Sequence, residues 1–187
     1  MNELIDRALD AAQAAGAQYA DIRITERETE SLTVKNGALE AASSNLTTGF
    51  GVRVLVDGAW GFAGSAVMTN PEVDRVTREA IEIARASGLA AGDPVQLDDT
   101  PPQTARFATP VQEDPFAVSI DDKLAILFEA DAAMARVPGV TVREGSIEGG
   151  RERKTFASSE GARIEQELTE AGAGPRDRKS TRLNSSH

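Results

Sequence analysis

The sequence predicts an α+β protein: an antiparallel β-meander sheet packed with helices, followed by a second, incomplete α/β unit. Three observations predict it. Asn36-Gly37 and Asp57-Gly58 each separate two runs that suit strands, and both pairs favour the two-residue type I′ turn, whose central residues need φ > 0. Apolar residues recur at helical spacing on either side of this meander. From Ser119 the order of helix and then strands begins again.

Taken in order, Leu4, Ile5, Ala8, Leu9 and Ala12 form one face of a helix over 3–15, with Asn2 as its cap and Gly16 as its end. Tyr19 to Thr25 alternates, with Ala20, Ile22 and Ile24 on the apolar side. The charged run 26–30 continues that strand to an exposed end, and Leu32 and Val34 lead into the Asn36-Gly37 turn. Leu39 to Leu46 returns, and Thr47-Thr48-Gly49 connects it to a hairpin of 50–56 and 59–66. The meander therefore has four or five strands.

The Asp57-Gly58 turn fixes the register of that hairpin: Val56 opposite Ala59, Leu55 opposite Trp60, Val54 opposite Gly61, Arg53 opposite Phe62, Val52 opposite Ala63. One face then carries Val52, Val54 and Val56 against Ala59, Gly61 and Ala63, small enough for a helix to approach closely. The other carries Arg53, Leu55, Trp60 and Phe62, an aromatic cross-strand cluster in which the Arg53 stem covers the Phe62 ring.

A second helix opens at Asn70-Pro71, with Asn70 as N-cap, Pro71 at N1 and Glu72 and Asp74 near its positive end. Its buried stripe is Val73, Val76, Ala80, Ile81 and Ala84, and Gly88 closes it. Pro94, Pro101, Pro102, Pro110 and Pro115 then interrupt regular structure. That stretch reads as a connection with short strands at 95–97 and 106–109. Its acidic pairs, Asp98-Asp99 and Glu113-Asp114, read as solvated loop charge. Ser119 caps a third helix with Asp122 at N3. Its stripe is Leu124, Leu127, Phe128, Asp131 and Met134, and Pro138-Gly139 ends it. Val140, Val142, Ile147, Phe156 and Ile164 mark further strands, with turns at Gly149-Gly150 and Glu160-Gly161.

The domain reading is 1–90 for the first domain, 91–118 for the proline-rich connection, 119–174 for a partial second domain and 175–187 for a non-native tail. The tail is basic and polar, with four of the chain's 20 basic residues and no apolar face. Asp-Arg-Lys-Ser-Thr-Arg-Leu-Asn-Ser-Ser-His resembles a translated sequencing-adapter sequence, and the expectation is a stretch that does not belong to the fold.

Composition bounds the chemistry. The 187 residues carry 20 basic and 30 acidic side chains, a formal charge of -10, which argues against a nucleic-acid surface. Cysteine is absent, so there is no disulfide and no thiolate ligand or nucleophile. No apolar run reaches membrane-spanning length, the N-terminus has no signal-peptide pattern, and cytoplasmic residence is the expectation. The one histidine is His187, the last residue. A zinc site of the His/Cys kind and a Ser-His-Asp triad both need more than this chain provides.

The run Gly-Phe-Gly-Val-Arg-Val-Leu-Val-Asp-Gly-Ala-Trp-Gly-Phe-Ala, residues 49–63, resembles the N-terminal signature of the TldD/PmbA family of metallopeptidase-related proteins. Tyr19-Ala20-Asp21-Ile22-Arg23, the turn at Asn36-Gly37 and the helix after Asn70-Pro71 stand in that family's order, so the resemblance covers about residues 1–170. It implies a zinc-dependent peptidase acting on unfolded peptides, or its PmbA-type partner without the metal motif, the two forming homo- or heterodimers. The implied zinc motif is His-Glu-x-x-x-His, in which two imidazoles one helical turn apart hold the metal and the glutamate serves as base. That motif is absent here, and the family places it further along the chain. Zinc is therefore expected in the full-length protein and none is bindable by this chain, and no catalytic or metal residue carries over. Gly51, Arg53, Asp57, Gly58, Trp60, Gly61 and Phe62 carry over as a structural signature. Three readings stand: the N-terminal part of a TldD-type zinc peptidase, part of a PmbA-type non-catalytic partner, or a complete α+β module offering sheet edges to extended peptides.

Overall fold

The structure is a computed structural model and describes residues 1–90, 93–98 and 101–179. It is an α+β fold with one six-stranded sheet and three helices. The elements run α1 (Asn2–Ala14), β1 (Tyr19–Lys35), β2 (Ala38–Val56), β3 (Ala59–Ser65), α2 (Asn70–Gly88), β4 (Thr104–Ala108), α3 (Ile120–Ala135), β5 (Val140–Ser158) and β6 (Arg163–Lys179). The sheet order is β3-β2-β1-β5-β6-β4. The chain divides into two compact units, and β1, β2, β5 and β6 are long enough to feed both. The first unit holds 1–27, 47–108 and 152–167; the second holds 28–46, 109–151 and the residues from 168 onward. No described helix is long and apolar enough to cross a membrane.

Both expected type I′ turns are present, with φ of 48° and 80° at Asn36 and Gly37 and 51° and 77° at Asp57 and Gly58. The β2–β3 register is the one that the turn dictates, from Val56 opposite Ala59 to Phe50 opposite Ser65. The meander, however, has three strands rather than four or five. The run 26–30 lies within β1, and Thr47-Thr48-Gly49 lies within β2 rather than connecting two strands. Their polar side chains look like loop ends in sequence, but as strand residues they find partners: Arg153 donates to Glu26 at 2.8 Å, and the Thr47 hydroxyl donates to the Arg27 carbonyl at 3.4 Å.

In the first unit, α1 and α2 cover one face of the sheet. Its core joins Ile5, Leu9 and Ala12 of α1, Ala20, Ile22 and Ile24 of β1, Val52, Val54 and Val56 of β2, and Val73, Val76, Ala80 and Ala84 of α2. Every apolar residue expected on the α2 stripe is buried. The helix caps shift by one residue. Met1 precedes α1 and Thr69 precedes α2, so Asn70 is helical and instead donates from its side-chain amide to Glu3 at 2.8 Å. Glu72, in the first turn of α2, is held down to about 2 by hydrogen bonds from Arg75 and then Ser65. An Arg7–Asp74 pair at 2.7 Å ties the two helices.

The connection after α2 is less regular than expected at 95–97, which forms no strand. It is nevertheless fastened: the Val95 amide donates to the Gly58 carbonyl at 2.8 Å, seating Pro94 on the hairpin turn. The expected strand at 106–109 lies instead at Thr104–Ala108, parallel to β6. Asp98 is exposed, and Asp99 lies outside the described residues. Asp114 departs from the solvated reading, because it accepts from Arg151 and from the Phe116 amide.

The second unit has a small core of Leu32, Val34 and Leu127, with Leu124 and Ile147 against it. Ser119 caps α3 as expected, accepting from the Asp122 amide at 3.1 Å. The buried stripe of α3 keeps Leu127 and Asp131 as expected, adds Lys123 and leaves Phe128 exposed. Each buried charge has a partner, Glu30 for Lys123 and Arg143 at 3.2 Å for Asp131. Strand β5 continues through Gly149-Gly150, where a turn was expected; the turn at Glu160-Gly161 is present, with φ of 93° at Gly161. Strand β6 includes residues 175–179, and the rest of the basic tail, His187 with it, lies outside the described residues.

A methyl group at Gly61 would sit 1.9 Å from the Ala80 carbonyl oxygen and 2.5 Å from the Ala84 nitrogen, both helix backbone. Gly61→Ala is therefore expected to cost about 3 kcal/mol, the upper part of the usual overpacking range, because backbone cannot rotate aside. Urea unfolding followed by Trp60 fluorescence measures it. Gly150→Ala, with open space around the added carbon, is expected to stay within about 0.5 kcal/mol of the parent.

Candidate functional site

The face of the first unit's sheet that carries no helix holds the chemistry. Odd-numbered residues of β1 and β2 point there, since the even-numbered ones fill the core. Asp21 is buried, only 2% of its side chain remaining exposed. An isolated carboxylate in that setting costs several kcal/mol, roughly, so it requires a cation. Arg53 supplies it, donating from Nε at 2.8 Å and approaching the same oxygen at 2.6 Å through a terminal nitrogen. Arg23 stands 3.7 Å from the other oxygen.

Aromatic rings hold the guanidinium groups in place. Arg53 lies 4.7 Å from the Trp60 ring centre and 6.0 Å from that of Tyr19, and the two rings meet edge to face at 5.7 Å. Arg23 lies 5.5 Å from the centre of Phe156. Burial raises the Tyr19 phenol above its ordinary value, and the Asp21 charge raises it further. Hydrogen bonds and charge from Asp21 raise Arg53 against the opposing effect of its burial.

Beside this stack lies an open cleft of about 590 Å³ lined by Arg23, Thr25, Arg27, Gly49, Gly51 and Phe62, among others. Glycine lines its floor. A Cβ on Gly51 would stand 2.7 Å from the Phe62 ring, which rests over that position. Phe62 remains 61% exposed.

The signature residues thus divide by role. Gly51 and Phe62 line the cleft, while Arg53 and Trp60 form the stack. The Arg53 guanidinium reaches Trp60 and Asp21. Asp57 and Gly58 make the turn, and Gly61 faces the opposite way, under α2. Sequence reasoning missed Asp21, Tyr19 and Arg23 as members of this cluster. The signal was available: an acid alternating with Tyr19 and Arg23 on the polar side of a strand whose other side is apolar. Among the described residues, no group of three or more His, Cys, Asp or Glu could hold a metal ion. The described residues do not fit the zinc that the resemblance implies.

Comparison with known proteins fits this geometry to a family. Residues 20–84 match the family model described as PmbA/TldA metallopeptidase domain 1, and residues 113–175 match the PmbA/TldA metallopeptidase central domain, together more than half of the chain. The chain belongs to the PmbA/TldD metallopeptidase family. It is 29% identical over 153 residues to Metalloprotease MJ0996 of Methanocaldococcus jannaschii, covering 81% of this chain and 33% of that protein. Among solved structures, a proposed modulator of DNA gyrase from Bacteroides thetaiotaomicron superposes with a TM-score of 0.79 at 18% identity, over 96% of this chain and 41% of that one. TldE from Thermococcus kodakarensis gives 0.66 at 14% identity, over 96% and 43%. These two share the fold. The chain spans about a third of the length of the curated relatives it matches.

Arg53→Met leaves the Asp21 carboxylate with only the more distant Arg23. Arg53 is itself partly exposed, so the expected loss is about 1–3 kcal/mol in urea unfolding, with a red shift of Trp60 emission. Adding Asp21→Leu to that variant is expected to recover part of the loss, since the uncompensated charge is gone. Tyr19 is the sole tyrosine, so the phenolate absorbance titration reads it alone, and its midpoint is expected above 10.0. The folded value exceeds the unfolded one, so this contribution to stability is full below pH 10 and disappears as pH rises through the folded midpoint. Asp21→Asn is expected to bring the midpoint down.

Proposed function

We propose that this chain supplies the first and central domains of a TldD-type zinc metallopeptidase that cleaves unfolded peptides in the cytoplasm, working as a homo- or heterodimer with a family partner. The observation that carries the reading is that two successive domain models of one metallopeptidase family match in order along the chain. The metalloprotease relatives named above support it. In this reading the chain contributes a rigid peptide-facing sheet, and the zinc ligands come from sequence beyond the family's central domain. Zinc, where bound, would polarise the scissile carbonyl and activate a water; the residues described here hold neither.

The test begins with the source DNA read across the codon for Gly174. The expected frame continues to a His-Glu-x-x-x-His helix. The full-length product is then expected to carry zinc and to degrade unfolded casein, with cleavage lost on chelation and restored by zinc. Replacing the motif glutamate by glutamine is expected to abolish cleavage while zinc stays bound. A continuing frame without the motif overturns the catalytic assignment in favour of a PmbA-type partner. A frame ending at His187, with a monodisperse product, overturns it in favour of a self-contained peptide-binding module.

A further inference from the structure

We propose that the glycine-floored cleft on the helix-free face of the first unit binds an extended peptide through one acidic side chain placed next to an apolar one. The choice of a peptide rests on the peptidase reading above; the acidic and apolar preference rests on the cleft alone.

The argument starts from charge. The molecule carries a formal charge of -10, yet this cleft has a local excess of cations. Two guanidinium groups, Arg53 at 2.6 Å and Arg23 at 3.7 Å, share the single carboxylate of Asp21, which leaves one positive charge over. Arg27 adds a second; it is exposed, lines the cleft and has no carboxylate partner among the described residues. The acid that does line the cleft, Glu152, is neutralised by Lys154 at 2.8 Å. Arg23 is steadied on Phe156, so less side-chain freedom is lost when it engages an anion. The hydroxyls of Thr25, Thr47 and Thr48 are further hydrogen-bonding groups along the same walls.

Shape and polarity narrow the ligand. Gly49 puts no side chain over the β2 backbone at the floor, so an extended chain can lie close to it there, beside the ring that covers Gly51. The Phe62 ring stands at one side, largely exposed and held over Gly51, as a flat contact for an apolar side chain. An excess of guanidinium charge beside an exposed ring matches a carboxylate followed by an apolar residue. A polyphosphate or nucleic-acid backbone fits poorly, because the overall negative charge repels a polyanion beyond this patch.

The test uses the 187-residue chain and fluorescence anisotropy. The probes are a labelled, unstructured hexapeptide containing Glu-Phe and its counterpart containing Gln-Phe. The Glu peptide is expected to bind about tenfold more tightly, the scale of one charge-assisted hydrogen bond, and to weaken as salt screens the site. Arg27→Gln is expected to remove that tenfold advantage and leave the Gln peptide unchanged. Phe62→Ser is expected to weaken both peptides. Arg27 is exposed, and unchanged circular dichroism and Trp60 emission establish that the variants fold. Equal affinity for the two peptides, no binding of either, or an Arg27→Gln variant that keeps its preference overturns the proposal. Displacement of the Glu peptide by inorganic phosphate at equal concentration overturns the assignment to a peptide. Binding is read without cleavage, so the two readings fail separately. A cleft that does not bind beside an active full-length peptidase defeats this inference alone; acid-selective binding by a full-length protein that lacks zinc and activity defeats the peptidase assignment alone.

Discussion

The first unit depends on one close approach, that of α2 to the backbone of β3 at Gly61. The Ala80 carbonyl and the Ala84 nitrogen occupy the space where any other residue would carry its side chain. This contact ranks the two faces of the hairpin. Once α2 is seated, Val52, Val54 and Val56 are enclosed, and the sheet cannot slip by one residue without turning those valines to solvent and Arg53 into the core. The tight Asp57-Gly58 turn agrees with the same register independently. Local turn chemistry and long-range packing therefore specify one answer, which is what a single native state requires.

Because the apolar face is committed to helices, polar and aromatic residues are left on the other. A buried acid there is costly unless its partner is held firmly. Arginine suits the task better than lysine: its planar group bonds Asp21 along its edge while its faces meet rings. Trp60 and Tyr19 supply those rings. The arrangement rigidifies Arg53 and leaves the charge of Arg23 only partly answered. The cation excess of the cleft follows from this sharing of one carboxylate, more than from any abundance of basic residues.

Much of this was legible in the sequence, and the limit has a physical form. The hairpin register could be written down because a two-residue turn fixes every pair that follows it. The small-residue face could be assigned because Gly61 alternates with Ala59 and Ala63. The Asp21–Arg53 pair could not, since it joins strands separated by a longer excursion, where a slip of two residues keeps each face and changes every partner. The lengths of β1 and β2 were misread for a related reason. Alternation with an apolar side was the criterion for a strand, but Glu26, Glu28 and Glu30 satisfy the strand by ion pairs with Arg153, Arg151 and Lys123 instead.

The second unit extends that point to its core. On α3 the buried positions Lys123, Leu127 and Asp131 recur every four residues, so the geometry is that of an ordinary inward stripe. Two of the three are charged, and apolar residues such as Ile126 and Phe128 lie outside it. A hydrophobicity pattern finds Leu127 here but draws Phe128 inward and leaves Lys123 out. The ion pairs Lys123–Glu30 and Arg143–Asp131 restrict which residues can face one another, because a shifted helix would bury unpaired charge. With few large apolar side chains in this core, burial area gives weak discrimination between alternative helix positions. Charge matching at fixed points supplies it, so the unit's arrangement rests on specificity more than on the depth of its core.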